Sequence, residues 1–266
     1  MNQPYPTSLK RLSILLLCAT LVLLIKCHTT STQSKPVLAS TVPNHQLWTK
    51  LLQKHVESSG FVNYKGFIQD SSALNLYLRT LQAGVPDPNT WTQEEQLAYW
   101  INAYNAYTIK LIVNKYPLKS IKDLNSTIAI PFVNTIWDRR FFTLGGRKYS
   151  LNKIEHEILR KKFHEPRIHF AINCASVSCP VLRREAYTAA KLEQQLSEQA
   201  ITFINDPTKN QLSSGNPKLS SIFNWFGSDF KKDGSIISFI NRYSSISIKE
   251  DASVEYLEYD WRLNEQ

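Results

Sequence analysis

Little in this chain marks a binder of phosphate or nucleotide. Eight glycines and one methionine are spread through 266 residues, and the glycines never gather into a loop that could cradle a phosphate. Nucleotide and dinucleotide cofactors therefore have no support, and no cofactor is expected. Four cysteines are present without a Cys-x-x-Cys or a His-Glu-x-x-His, the spacings that most directly announce zinc. No segment repeats, which excludes a repeat array. No acidic residue precedes Glu57, so much of the formal charge of +9 is local: without Lys10, Arg11, Lys26 and Lys35, the rest carries +5. That is ordinary for one domain, and the densest remaining run, Arg160-Lys161-Lys162, falls in an expected helix where it reads as a solvated face. Nucleic acid is not an expected partner.

Apolar residues make up 42% of the chain and aromatics 11%, enough to build a core and to exclude a disordered chain. Twelve Tyr, twelve Phe and six Trp fill that core with rigid bodies, many with a polar tip that needs a partner. At the N-terminus Lys10-Arg11 precede an apolar run from Leu12 to Ile25. A full membrane span needs about 20 apolar residues, so the run reads as an export signal or short anchor over residues 1–27. Cys27 followed by the Ser/Thr-rich linker 28–43 suggests a lipidated envelope protein, although Lys26 replaces the small residue that normally precedes a lipidated cysteine. The expectation is an exported, periplasmic or membrane-attached protein whose partner is an unknown substrate or envelope component, with one domain over 44–266.

Within that domain the periodicity predicts helices over 44–58 and 70–81. Thr92 and Glu95 form a capping box ahead of a long helix, in which Leu97, Trp100, Ile101, Tyr104, Thr108, Leu111 and Ile112 keep helical spacing as far as Tyr116-Pro117. Asn102 and Asn105 on the same helix need buried partners, either by bracing a loop or by lining a site. Gly145-Gly146 predicts a hairpin turn between Phe141–Leu144 and Arg147–Tyr149. Ser150 caps a helix over 151–163 that carries Glu155 and His156, and 167–173, apolar on both sides, reads as a covered strand. Helices over 188–204 and 236–243 and a strand over 254–261 complete an α+β fold with a small mixed sheet covered by helices. The aromatic run Ile222 to Phe226, with Phe230, reads mainly as core.

Four segments together resemble the family called domain of unknown function 547: WINAYNAYTIKLI (100–112), SLNKIEHEILR (150–160), PRIHFAINCASVSCPVLR (166–183) and YDWRLN (259–264). The resemblance spans about Trp91 to Asn264. It implies a shared fold and a shared polar constellation of Asn102, Asn105, Glu155, His156, His169, Asn173, Cys174 and Cys179, and no established reaction.

That constellation admits several chemistries. Cys174 and Cys179 form a short loop that a disulfide closes in an exported protein, with modest stabilisation because the loop is small. Alternatively Cys174 is the nucleophile of a thiol-dependent hydrolase or acyl transferase, with His169 or His156 as base and Glu155 or an Asn as orienting group. A strand leaving Arg167 delivers Cys174 beside the N-terminus of helix 151–163, where a thiol pKa falls. The same straight strand sets His169 ~16 Å from it. A third reading places zinc between His156 or His169 and the two cysteines. In the last, the cluster serves only the fold or a binding pocket, with Asn102, Asn105, Asn173 and Cys179 as binding groups.

Overall fold

The computed structural model describes residues 41–125 and 135–266. The expected signal or anchor, and the linker up to residue 40, lie outside the described residues. Among those described, no helix is long and apolar enough to cross a membrane.

The fold is α+β, mainly helical, and is organised around one buried helix. Helices α1 (Gln46–His55), α2 (Tyr64–Gln69) and α3 (Ser71–Ala83) precede α4 (Gln93–Val113). The expected capping box is present: Thr92 accepts from the Glu95 amide at 3.2 Å, and Glu95 accepts from the Thr92 amide at 2.8 Å. From Leu97 to Ile112 every residue of α4 except Lys110 is buried. α2 and α3 pack on it.

The predicted hairpin forms as β1 (Phe142–Leu144) and β2 (Arg147–Tyr149), paired antiparallel with Leu144 opposite Arg147. Gly145 and Gly146 have φ of 52° and 75°, the left-handed backbone that a tight two-residue turn requires. Ser150 then caps the next helix, accepting from the Lys153 amide at 3.1 Å. That helix is wound as a π-helix over Lys153–Leu159 before closing as α5 (Arg160–Lys162). π-turns of this kind are rare and gather at functional sites; this one carries Glu155 and His156.

The strand expected over 167–173 is instead a helical turn, α6 (Ile168–Ala171). The physical reason lies in its surroundings. Ile168, Ala171 and Ile172 belong to the larger apolar core around α4, whereas Phe170 belongs to a second core built on α7 (Leu192–Asn205), α8 (Ser221–Trp225), α9 (Gly227–Phe230) and α10 (Ile236–Asn241). A segment buried all round shows apolar residues on every side, and periodicity cannot then separate strand from helix. The covered central strand is therefore replaced by a helical plug between two cores. The single mixed sheet is replaced by two ribbons: the hairpin, and a parallel pair of β3 (Lys218–Ser220) with β4 (Glu255–Leu257). The last strand keeps only those three of its expected eight residues.

Candidate functional site

Glu155 and His156 from the π-helix, His169 from α6 and Cys174 from the loop beyond it line one cavity of about 170 Å³. All four expected catalytic positions thus meet, which a straight strand would have prevented for His169. Phe226 and the partly exposed Trp137, Trp225, Tyr259 and Trp261 form much of the remaining wall. Phe223 and Phe230 are core as expected, but Trp225, 47% exposed, and Phe226 face the cavity.

Asp229, on α9, organises the two imidazoles, and no local motif marks it. Its carboxylate accepts from His169 Nε2 at 2.8 Å and from Arg160 Nε at 2.6 Å. Burial works against its charge, yet the bonds from His169 and Arg160 outweigh burial and hold the carboxyl well below its usual range. Because an ionised carboxylate only accepts, Nε2 of His169 carries the proton and Nδ1 holds a lone pair. That Nδ1 is buried with no hydrogen-bond partner among the described residues. Burial lowers the His169 pKa to about 4 in spite of Asp229, so the ring is neutral at pH 7. It stacks on Phe226, with centroids 3.9 Å apart.

His156 is the complement. Arg160 donates to its Nδ1 at 3.1 Å, which leaves Nε2 as the protonated nitrogen of the neutral ring. Burial, then the Arg160 charge, lowers its pKa. Glu155 is buried and accepts from the Tyr104 hydroxyl at 3.2 Å. Burial pushes its pKa up to about 7, with Tyr104 and Arg160 opposing. One wall therefore holds an imidazole acceptor, an imidazole donor and a carboxyl poised near neutrality.

Cys174 and Cys179 are joined in a disulfide, with Cα atoms 6.2 Å apart. Cys174 is partly exposed and lines the aromatic cavity; Cys179, 3% exposed, lines a smaller neighbouring one with Asn173, Ser176 and Lys209. Between them Ala175 holds φ at 61°, a left-handed conformation costing a non-glycine residue ~1–2 kcal/mol. Such conformations gather at functional sites. Asn173 accepts from the Ala175 amide and donates to the Pro180 carbonyl, both at 2.8 Å, which fixes the loop.

Asn102 and Asn105 do not line the cavity. Asn102 exchanges two bonds with the Tyr187 backbone, at 2.8 and 2.9 Å. Asn105 donates to Ala171 O at 2.9 Å and accepts from the Asn173 amide at 2.8 Å, clamping the C-terminal exit of the turn that carries His169, where the chain runs on to Cys174. They brace backbone. As for zinc, among the described residues no group of three or more His, Cys, Asp or Glu converges to hold a metal ion, so the proposed ligand set is not assembled.

No curated protein and no solved structure matches the chain. The family model described as protein of unknown function, DUF547, matches residues 88–204. The match takes in Glu155, His156, His169 and both cysteines, and leaves out Asp229 and the aromatic wall from Trp225 to Trp261. The match over residues 88–204 supports the resemblance to the DUF547 family.

Proposed function

We propose that the cavity is a thiol-dependent acyl-transfer or hydrolase site whose nucleophile, Cys174, acts once its bond to Cys179 is reduced. The observation that carries this reading is the convergence of Glu155, His156, His169 and Cys174 on one cavity from separate segments. His169 Nδ1 takes the thiol proton, and the resulting imidazolium is balanced by Asp229, as in a nucleophile–base–carboxylate array. The thiolate adds to an acyl carbonyl. Glu155, about half protonated near pH 7, gives its proton to the leaving group. Water or an acceptor then releases the acyl group from sulphur. Export through the N-terminal run belongs to the same proposal, since an oxidising compartment lets the bridge persist.

The test is acylation of the reduced full chain by p-nitrophenyl acetate, read by mass. An acetyl group on Cys174, lost with Cys174→Ser and greatly slowed by His169→Ala, supports the reading. The disulfide also favours a second reading, in which the bridge is only a staple. Absence of any adduct, with loss of stability as the sole effect of Cys174→Ser, would favour that alternative.

A further inference from the structure

The groups around the bridge are not those a structural disulfide calls for. The Cys174 amide reaches Cys179 Sγ at 3.0 Å, the Ser176 hydroxyl at 3.2 Å and the Tyr259 hydroxyl at 3.3 Å. The same hydroxyls lie 3.3 and 3.2 Å from Cys174 Sγ and 3.3 Å from each other. Among the described residues, sulphur and one another are the only hydrogen-bond partners these hydroxyls have. A disulfide sulphur is a weak acceptor and a thiolate a much stronger one, so this cage is better satisfied once the bond is broken. Lys209, which donates to the Val177 carbonyl, adds a cation to the lining of the Cys179 cavity. Cations of this kind favour thiolates. The two sulphurs are also unequal in access: the aromatic cavity reaches Cys174, whereas Cys179 is buried behind it.

We propose that Cys174–Cys179 is an exchange disulfide, reduced by a small thiol or dithiol that enters the aromatic cavity and bonds to Cys174, with Cys179 as the leaving sulphur. The thiolate of the reductant attacks Cys174 Sγ. The S–S bond breaks, and its electron pair departs on Cys179, where the Cys174 N–H and the two hydroxyls receive it. The product is a mixed disulfide on Cys174. A second thiol attacks the reductant's sulphur in that mixed disulfide and expels Cys174. Two protons and two electrons thus pass from the dithiol to the protein, and the reductant leaves as a disulfide. The exchange uses the same sulphur as the acyl-transfer reading without depending on it, because no acyl group takes part.

The test keeps the full chain, folded and without denaturant, in dithiothreitol redox buffers, with thiol content read by intact mass after alkylation. A parallel sample in glutathione is acid-quenched and the adduct mapped. We expect reduction of the folded protein and a glutathione adduct on Cys174. Tyr259→Phe, alone and with Ser176→Ala, is expected to shift the equilibrium towards the oxidised form by about tenfold or more, the scale of one hydrogen bond to a charged group. Reduction only after unfolding, an adduct on Cys179, or an equilibrium unmoved in variants that fold would each overturn the proposal. Should the variants not fold, the adduct map on the unaltered chain decides. Failure of Cys174 to accept an acetyl group while exchange proceeds would remove the acyl-transfer reading alone.

Discussion

The amides of α4 and the wall of the cavity are both polar groups sunk in an apolar interior, and they are satisfied in opposite ways. Each amide of Asn102 and Asn105 gives one bond and takes one from backbone of another segment. In the cavity wall, by contrast, one imidazole nitrogen is buried without a partner among the described residues, a carboxyl is held near pH 7 by burial, and two hydroxyls have little but sulphur to bond. Burying polar groups costs free energy unless they are bonded. Full satisfaction fits the scaffold role of the two amides; incomplete satisfaction points to chemistry only where it converges on the cavity, since the buried Tyr187 hydroxyl also lacks a partner among the described residues and does not line it.

The largest expected effect probes the wall. Asp229→Asn leaves an amide that no longer fixes which His169 nitrogen carries the proton, and acylation of Cys174 should fall by ~10²–10⁴-fold; an unchanged rate would remove Asp229 from the account. Next comes the scaffold: Asn105→Leu orphans Ala171 O and the Asn173 N–H, and at ~1–3 kcal/mol each urea denaturation should show a loss of about 2–6 kcal/mol. A loss indistinguishable from that of an exposed change on α4 would break the comparison.

Glu155 gives a smaller effect with a defined sign. Its pKa rises from 4.5 to about 7 on folding, so the folded state holds this proton more tightly. The stabilising contribution is complete below about pH 4.5 and is lost as pH rises through 7. His169, lowered on folding from 6.5 to about 4, acts oppositely and loses stability as pH falls through that window. Comparing wild type with Glu155→Gln isolates the carboxyl: the wild type should lose stability between pH 5 and 8 relative to the variant, by about 1–3 kcal/mol. Parallel pH curves would contradict the raised pKa. Smallest of all, Trp225→Ala should change stability by about 0.5 kcal/mol or less, as an exposed position does, while weakening capture of an aromatic acyl ester more than that of an acetyl ester.

Legibility in the sequence followed the same divide. The capping box, the apolar rows of α4 and the Gly-Gly hairpin were readable because each depends on neighbours within a few residues. The membership of Glu155, His156, His169 and Cys174 was readable too, through residue type and motif. Their geometry was not. α6 is buried on every side between two cores and gives no period to read. Asp229 lies 60 residues from the histidine it orients, and Tyr259 lies 85 from the cysteine it contacts. Such pairings are set by how α9 and the C-terminal segment pack, which local patterns do not encode.

The most direct measurement of the central claim is the rate at which iodoacetamide alkylates each cysteine of the reduced, folded full chain as a function of pH. Cys174 should react faster than Cys179 and with an apparent pKa below the ~8.5 of a free thiol. His169→Ala should slow Cys174 several-fold while Asn102→Gln does not. Equal, ordinary reactivity of the two thiols, unmoved by the loss of His169, would contradict that claim and leave the cavity a packing feature of the fold.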